Sequence, residues 1–296
     1  MRRTMLFLPG NSPNMVLNGA VLGADSIIFD LEDAVSPEQK DAARILVRNV
    51  LKNGNFEGCE VIVRINALDT PYWEKDVETI VPLKPDMIMP TKVSGADYIK
   101  TLSAKMAEVE GKNGLPIGGI RLIPLLETTL GIENAYQIAT ADPRMEALYL
   151  GAEDLTADLR CKRTKKGDEI FYSRSRLVCA ARAAGIEAYD TPFTAVDDLE
   201  GLEADAMFAK SLGFTGKAVI SPRHVEIVNR VFSPSELEIR HAQDVFEALE
   251  EAKRQGKGAV SLNGKMIDAP IVARARLVLE AAEAIYGSGF SEGGGR

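Results

Sequence analysis

Short apolar runs alternate along most of the chain with longer segments that carry helical periodicity or helix-start signals. Residues 120–127 form a nearly unbroken apolar run that is too short for a typical helix and ends in Glu127. This pattern predicts a parallel strand that is buried on both faces and pushes its acid out at the carboxyl end. Residues 147–154 repeat the pattern one helix length later and end in Asp154.

Eight such runs occur, and segments with helix signals join them. The predicted strands are residues 4–8, 25–31, 60–66, 86–89, 120–127, 147–150, 187–191 and 217–221. Because an uninterrupted series of β–α units favours a barrel over a doubly wound sheet, we predict an α/β fold of the (β/α)8 TIM barrel type. This barrel is expected to occupy residues 1–233 and to form the catalytic domain.

The pattern changes after Pro234. The sequence there predicts a charged amphipathic helix, a short hairpin that turns at Asn263 and Gly264, and a second helix, over residues 235–255, 259–268 and 270–286. We therefore predict a C-terminal helical appendage over residues 234–286, which we interpret as a lid. The glycine-rich residues 287–296 are expected to be disordered.

The composition narrows the class of function. The 296 residues include 35 Lys and Arg against 43 Asp and Glu, and the resulting net charge of −8 argues against a nucleic-acid partner. Three cysteines without metal-ligand spacing, and an N-terminus that makes a poor signal peptide, predict reduced thiols in the cytoplasm. Since no apolar run reaches transmembrane length, no membrane partner is expected.

Carboxylates at the strand ends predict a metal site. Parallel strands end at one edge, so Glu127 and Asp154 are expected to point into one cleft, with the acids of residues 30–33 nearby. Ligands that are all oxygen atoms favour Mg²⁺, with Mn²⁺ as a second option, over zinc. The only two histidines, His224 and His241, lie where they support neither a zinc site nor a Ser-His-Asp triad.

Three positively charged features each have two interpretations. Arg64, at the end of the third strand, either pairs with neighbouring carboxylates or binds a substrate carboxylate bidentately. Lys92, after the fourth strand, is either a solvated loop cation or the Schiff-base lysine of a metal-free aldolase. The acids at the other strand ends favour a metal site, and therefore the first interpretation. Residues 160–167 contain five Lys and Arg and form either a solvated loop or a landing place for the phosphates of a nucleotide-like carrier.

Six segments match one protein family in the same order along nearly the whole chain. The motifs DLEDAV at residues 30–35 and GKMIDAP at residues 264–270 are specific when they occur together. The remaining segments contain Arg64, Glu127 and Asp154. By these residues the chain resembles the citrate lyase β subunits of the HpcH/HpaI aldolase superfamily, whose relatives include the malyl-CoA and citramalyl-CoA lyases.

The resemblance implies a reaction and a set of site residues. The reaction is the cleavage of a citryl thioester to oxaloacetate and an acetyl thioester. Mg²⁺ would bind to Glu127 and Asp154, and Arg64, together with Glu127, would bind the substrate. Glu32 and Asp33 are the catalytic candidates within the barrel.

Asp268 is the catalytic candidate outside the barrel. It matches an aspartate that related thioester lyases supply from the C-terminal segment of a neighbouring subunit to protonate the enolate. Asp268 also suits an N-cap for the helix that follows it, so both roles stay open. A shared site predicts a homo-oligomer, and the resemblance allows for a multi-subunit citrate lyase complex.

The thioester carrier stays open between coenzyme A and an acyl carrier protein. The segment Ser221-Pro222-Arg223-His224 departs from the His-Pro or Asn-Pro that many relatives have at this point. Alternative enzymes on the same scaffold are a malyl-CoA or citramalyl-CoA lyase and a thioesterase. From another class, the chain could be a non-catalytic, carrier-binding subunit of a complex, although the full set of strand-end acids argues against a purely structural role.

Overall fold

The computed structural model describes residues 1–255, 261–262 and 264–287. Asn263, where the predicted hairpin turns, and residues 288–296 of the predicted disordered tail lie outside the described residues. The chain divides into two compact units, one of Arg2–Arg230 and one that joins Met1 to Val231–Arg296. Each unit is described by itself.

The larger unit is an α/β fold built on one parallel sheet of nine strands, in the order β5-β4-β3-β2-β1-β9-β8-β7-β6. The strands are β1 Thr4–Pro9, β2 Ser26–Asp30, β3 Glu60–Arg64, β4 Met87–Met89, β5 Arg121–Leu122, β6 Leu125–Leu126, β7 Ala147–Leu150, β8 Glu187–Asp190 and β9 Gly216–Val219. Each of the eight predicted strands therefore has a counterpart, and the prediction of an α/β fold is confirmed.

The predicted fifth strand is present as two short pieces, β5 and β6, separated by Ile123 and Pro124. Proline has no N–H to donate to a sheet, which is one reason for the interruption. The N–H groups of Ile123 and Leu125 donate to carbonyl oxygens of Ile88 and Pro90 on the β4 side. On the β7 side, the Pro124 and Leu126 carbonyl oxygens accept hydrogen bonds from Tyr149 and Gly151.

Helices follow the strands along the chain, so the alternation of apolar runs and helical segments in the sequence corresponds to an alternation of strands and helices. They are α1 Pro13–Asn18, α2 Lys40–Asn53, α3 Trp73–Ile80, α4 Ala96–Lys112, α5 Thr129–Glu133, α6 Ala135–Ala139, α7 Ala152–Asp158, α8 Phe171–Ala184, α9 Leu199–Leu212 and α10 Pro222–Phe232. The predicted start signals operate at α1, which has Pro13 at its first position, and at α9, where the Asp198 side chain accepts a hydrogen bond from the Gly201 N–H.

Both faces of the sheet are buried and mainly apolar, as the continuous apolar runs predict, although Asp190 and Lys217 are buried charged exceptions. All five residues of β2 and all four of β7 are buried. Alternate residues along the strands share one face, and one hydrophobic cluster gathers Met5, Ile28, Ile62, Met87, Met89, Ile123, Leu125, Ala147, Tyr149, Tyr189 and Ala218. One buried hydrophobic cluster therefore joins residues from most of the strands.

The smaller unit contains the predicted helix, hairpin and helix. Helix α11 (Glu236–Arg254) begins with a capping box at Ser235, β10 (Ser261–Leu262) pairs antiparallel with β11 (Lys265–Met266), and α12 covers Ala269–Tyr286. Ala242 and Val245 of α11 cluster with Ala275 of α12. Among the described residues, no helix combines the length and the apolar character that crossing a membrane requires.

Candidate active site

A cavity of about 390 Å³ lies at the carboxyl ends of the strands. Its polar lining comes from the ends of several different strands, including Asp30, Arg64, Glu127 and Thr191. The carboxyl edge of a parallel sheet is where α/β folds bind ligands. The apolar part of the lining is formed by Phe7, Pro9, Met15, Leu125, Tyr149, Pro192 and Ile220.

Arg64 is bound to Asp30 at the cavity. The Nε and Nη2 atoms of Arg64 donate to the two carboxylate oxygens of Asp30 at 2.7 and 2.5 Å, and the guanidinium lies 4.9 Å from the centre of the Phe7 ring. Burial acts to raise the pKa of Asp30, but the charge and hydrogen bonds of Arg64 outweigh it and hold that pKa below its ordinary value. The ion-pair interpretation of Arg64 describes these contacts, and its substrate-binding role stays a prediction.

The acidic loop after β2 is held by hydrogen bonds within the loop and from α2. The N–H groups of Glu32 and Ala34 donate to the Asp30 carboxylate at 2.8 and 3.0 Å. The ammonium group of Lys40 donates to the carbonyl oxygens of Leu31 and Glu32 at 2.9 and 2.5 Å. The Asp30 carboxylate thus organises the loop and, at the same time, orients Arg64.

The side chains of Glu32 and Asp33 in this loop have different surroundings. The Glu32 carboxylate lies 3.3 Å from Nη1 of Arg64 and 3.2 Å from Nζ of Lys92. Asp33 is exposed and lines the cavity. Glu32 is therefore a partner of two cations, whereas Asp33 is accessible from the cavity.

Arg44 of α2 supports the segment that follows the strand carrying Arg64. Its Nε donates to Asp76 at 2.6 Å, and the other oxygen of Asp76 accepts from the N–H and the side-chain amide of Asn66 at 3.0 and 2.7 Å. Asn66 lies two residues beyond the end of β3. Arg44 therefore acts on the site through buried hydrogen bonds that hold the chain after β3.

Glu127 follows β6 and lines the cavity, as the strand-end pattern predicts, but it is buried, with only 4% of its surface exposed. The N–H of Lys92 donates to its Oε1 at 2.8 Å. A Cβ at Gly151 would lie 2.7 Å from the Glu127 Cβ and 2.9 Å from its Oε2, so glycine makes room for the buried carboxylate. Burial and the charge of Asp154 raise the pKa of Glu127 to about 8, despite the opposing hydrogen bond from Lys92.

Asp154 lies in the first turn of α7 and is more exposed than Glu127. The N–H of Ala152, at the start of the same helix, donates to Oγ1 of the buried Thr191 at 3.1 Å. This bond ties the start of α7 to the end of β8. The structure therefore brings Asp154 to the same cavity as Glu127, as the strand-end pattern predicts.

The charges at the cavity fit a divalent cation. Five carboxyl groups line the cavity against one cationic side chain, Arg64, so acids exceed cations there; the five are Asp30, Asp33, Glu127, Glu153 and Asp154. In the part of the chain that the structure describes, no three His, Cys, Asp or Glu side chains are grouped to hold a metal. A Mg²⁺ ion that keeps several water ligands needs only two carboxylates, so this arrangement is compatible with Mg²⁺, and the ligand roles of Glu127 and Asp154 stay a prediction.

The raised pKa of Glu127 predicts that the stability of the metal-free protein depends on pH. The unfolded chain loses this proton near pH 4.5, whereas the folded protein keeps it up to about pH 8. The free energy of unfolding should therefore fall with rising pH in this range, by up to about 1.4 kcal/mol per pH unit. Urea unfolding in EDTA at several pH values measures the slope. If Glu127→Gln leaves the slope unchanged, other groups cause it.

The positive segment of residues 160–167 is largely paired with carboxylates. The pairs join Arg163 to Glu169, Lys165 to Asp198 and Lys166 to Asp168. Arg160 and Lys162 form no ion pair with any residue that the structure describes. The solvated-loop interpretation accounts for the three paired cations, and a phosphate-binding role of the segment stays a prediction.

Asp268 lies in the smaller unit, at the start of α12. Its side chain accepts a hydrogen bond from the N–H of Ile271 at 3.1 Å, which is the N-cap that the sequence allows. The side chain is exposed. The catalytic role of Asp268 stays a prediction.

The contacts of Lys92 and the role of Gly151 do not follow from the sequence patterns described above. Lys92 has a φ of 53°, in the left-handed region that residues other than glycine seldom adopt. No sequence signal marks that conformation at a lysine. Gly151 stands directly after the strand that leads to Asp154, and a glycine at that point is a signal for a close approach.

The fold and the strand-end carboxylates define a family. Residues 3–222 match the HpcH/HpaI aldolase/citrate lyase family, and the chain belongs to this family. The "Citrate lyase subunit beta" of Leuconostoc mesenteroides subsp. cremoris is 44% identical over 284 residues, which cover 96% of this chain and 94% of the relative.

Two solved structures from Mycobacterium tuberculosis are similar to this chain. Protein CitE in complex with magnesium, acetoacetate and coenzyme A has a TM-score of 0.78 and 30% identity, and the match covers 95% of this chain and 98% of that chain. The citrate lyase beta subunit complexed with oxaloacetate and magnesium has a TM-score of 0.66 and 29% identity, over 79% of this chain and 97% of that chain.

Proposed function

We propose that this chain is a Mg²⁺-dependent carbon–carbon lyase that cleaves a citryl thioester to oxaloacetate and an acetyl thioester, as a citrate lyase β subunit. The observation that carries the proposal is the pair Glu127 and Asp154 beside Arg64 in one cavity. The relatives support it, since solved family structures hold magnesium with oxaloacetate or with coenzyme A. Mn²⁺ is a second metal that such oxygen ligands accept.

The reaction has two chemical requirements. A proton must leave the hydroxyl group that becomes the ketone of oxaloacetate, and the enolate left on the thioester fragment must be protonated. When bound, Mg²⁺ stabilises negative charge on the substrate oxygens.

The side chains at the cavity have separate roles in this proposal. Glu127 and Asp154 hold the metal, and Glu127 in this way also orients the substrate. Arg64 binds a substrate carboxylate with N–H groups that its ion pair leaves unused, and Glu32 orients that guanidinium. Asp33 accepts the hydroxyl proton, because it lines the cavity and forms no hydrogen bond or ion pair with the described residues.

The proposed architecture is a closed (β/α)8 barrel over residues 1–233, in which β5 and β6 are two halves of one strand. The hydrogen bonds of the segment between Arg121 and Leu126 support closure, because this segment bonds to the β4 side and to the β7 side. Residues 234–286 act as the lid. A lid that excludes water would protect the enolate.

Asp268 donates the proton to the enolate, and in this proposal it does so across a subunit interface of a homo-oligomer. Its exposed position on a helix N-cap supports an accessible carboxyl group. The assembled protein would work with a carrier, either coenzyme A or an acyl carrier protein, within a citrate lyase complex. An odd number of cysteines, all free thiols, supports a cytoplasmic location.

Subunit mixing tests the shared site. Neither Asp268→Asn nor Glu127→Ala should turn over alone. After subunit exchange, a mixed oligomer combines an intact lid with an intact metal site, and activity should recover to about a quarter of the wild-type value for a symmetric dimer. Mixing differently tagged copies of Glu127→Ala controls for exchange. No recovery despite demonstrated exchange would rule out a site shared between subunits.

A panel of thioesters tests the reaction itself. Citryl-CoA and citryl-loaded acyl carrier protein should release oxaloacetate in the presence of Mg²⁺, and the faster substrate identifies the carrier. Malyl-CoA and citramalyl-CoA test the alternative lyases, and release of free coenzyme A without carbon–carbon cleavage tests the thioesterase. Preferential cleavage of malyl-CoA or citramalyl-CoA would overturn the proposed substrate.

A further inference from the structure

Lys92 contacts both proposed metal ligands, through different atoms. Its main-chain N–H donates to Oε1 of Glu127 at 2.8 Å. Its ammonium group lies 3.9 Å from Oδ2 of Asp154 and 3.2 Å from Oε1 of Glu32. Lys92 thus links the loop after β4 to the carboxylates of Glu32, Glu127 and Asp154.

The backbone of Lys92 is held in an unfavourable conformation. Its φ of 53° is uncommon for a residue with a Cβ. The preceding residue is fixed by two contacts, since the Tyr98 hydroxyl donates to the Thr91 carbonyl at 2.7 Å and the buried Thr91 hydroxyl donates to the Ile65 carbonyl at 3.4 Å. Such conformations persist where the surroundings over-determine them, and they cluster at functional sites.

The ammonium group of Lys92 and a divalent cation at Glu127 and Asp154 carry charges of the same sign. Both would be attracted by the Asp154 carboxylate, and their mutual repulsion at a separation of a few ångströms weakens the binding of either. The Lys92 side chain is 46% exposed, so it can leave Asp154 while it keeps its contact with Glu32. The Lys92 ammonium group therefore competes with a divalent cation for the Asp154 carboxylate.

We propose that Lys92 is a positioning residue that couples metal binding to the binding of the anionic substrate. By itself, the ammonium group lowers the affinity for the divalent cation. A substrate that chelates the metal through carboxylate oxygens adds negative charge beside Lys92 and cancels the repulsion. Because coupling between two ligands is reciprocal, the metal and the substrate should each tighten the binding of the other.

Titration with Mn²⁺, with free Mn²⁺ measured by electron paramagnetic resonance, tests this inference, which rests on the proposed function. Lys92→Met should bind Mn²⁺ about tenfold more tightly than the wild-type protein. Saturating oxaloacetate should shrink that difference to about twofold, since the negative charge of the substrate cancels the repulsion that weakens metal binding in the wild-type protein. Lys92→Arg keeps the charge and should behave like the wild-type protein.

Three further variants make the result specific. Lys100→Met, an exposed lysine of α4, is the matched control and should leave Mn²⁺ affinity unchanged. Lys92→Gly removes the charge and also tolerates the left-handed backbone, so it should bind Mn²⁺ as tightly as Lys92→Met even if that variant folds poorly. Glu127→Ala should lose the site.

The outcomes separate the inference from the proposed function. If the wild-type protein binds Mn²⁺ and Glu127→Ala does not, but both Lys92→Met and Lys92→Gly match the wild type, only the coupling role of Lys92 is overturned. If Lys92→Met tightens binding equally with and without oxaloacetate, the coupling to substrate is wrong. If the wild-type protein binds no better than Glu127→Ala, the proposed metal site itself fails.

Discussion

Replacing Glu127 with alanine should lower kcat by roughly a thousandfold or more and should remove the dependence of turnover on added Mg²⁺. The variant loses a buried carboxylate that we propose as a metal ligand, at a position where the missing Cβ of Gly151 leaves space for it. Asp154, the other proposed ligand, is more exposed and cannot by itself hold a hard cation firmly. The same loss is expected for Asp154→Ala. Steady-state kinetics across a Mg²⁺ titration measure the effect.

The fold of the Glu127→Ala variant should survive. Burial raises the pKa of Glu127 to about 8, so the ionised group opposes folding in the metal-free protein, and its removal should not lower the melting temperature in EDTA. Glu57→Ala, at an exposed position, is the control and should keep full activity. Wild-type turnover that continues unchanged in EDTA would exclude the metal-dependent mechanism.

Replacing Arg64 with lysine should lower kcat/KM by about a hundredfold or more. The guanidinium makes two parallel hydrogen bonds to Asp30 and lies against Phe7, and a lysine ammonium cannot reproduce the paired hydrogen bonds. The cation that we propose binds the substrate carboxylate would therefore be misplaced even though its charge is kept. A loss of transition-state stabilisation appears as a fall in kcat/KM.

The same variant separates the two interpretations of Arg64. The buried Asp30 would lose part of its pairing, so the free energy of unfolding should fall by up to about 3 kcal/mol. If stability falls while kcat/KM stays near the wild-type value, Arg64 is only an ion-pair partner. Arg48→Lys, on the exposed face of α2, is the control and should change neither quantity.

The sequence alone was sufficient for the α/β class and for the positions of the eight predicted strands. The reason is that a strand buried on both faces must be apolar at consecutive residues, and this requirement is local. The pattern of the two helices of the smaller unit is equally local, because Ser235 and Asp268 cap them within their own segments. Strand ends that carry acids also located Glu127 and Asp154 at one cavity.

Only the tertiary structure decided how these groups are paired. Arg64 meets Asp30 across 34 positions of sequence, and Lys92 meets Glu127 across 35. Neither pairing follows from periodicity, because a side chain at a strand end can reach partners on either neighbouring strand. The burial of Glu127 depends in turn on the missing Cβ of Gly151. Sequence patterns determine which residues arrive at the cavity, whereas packing between distant segments determines their charges and contacts there.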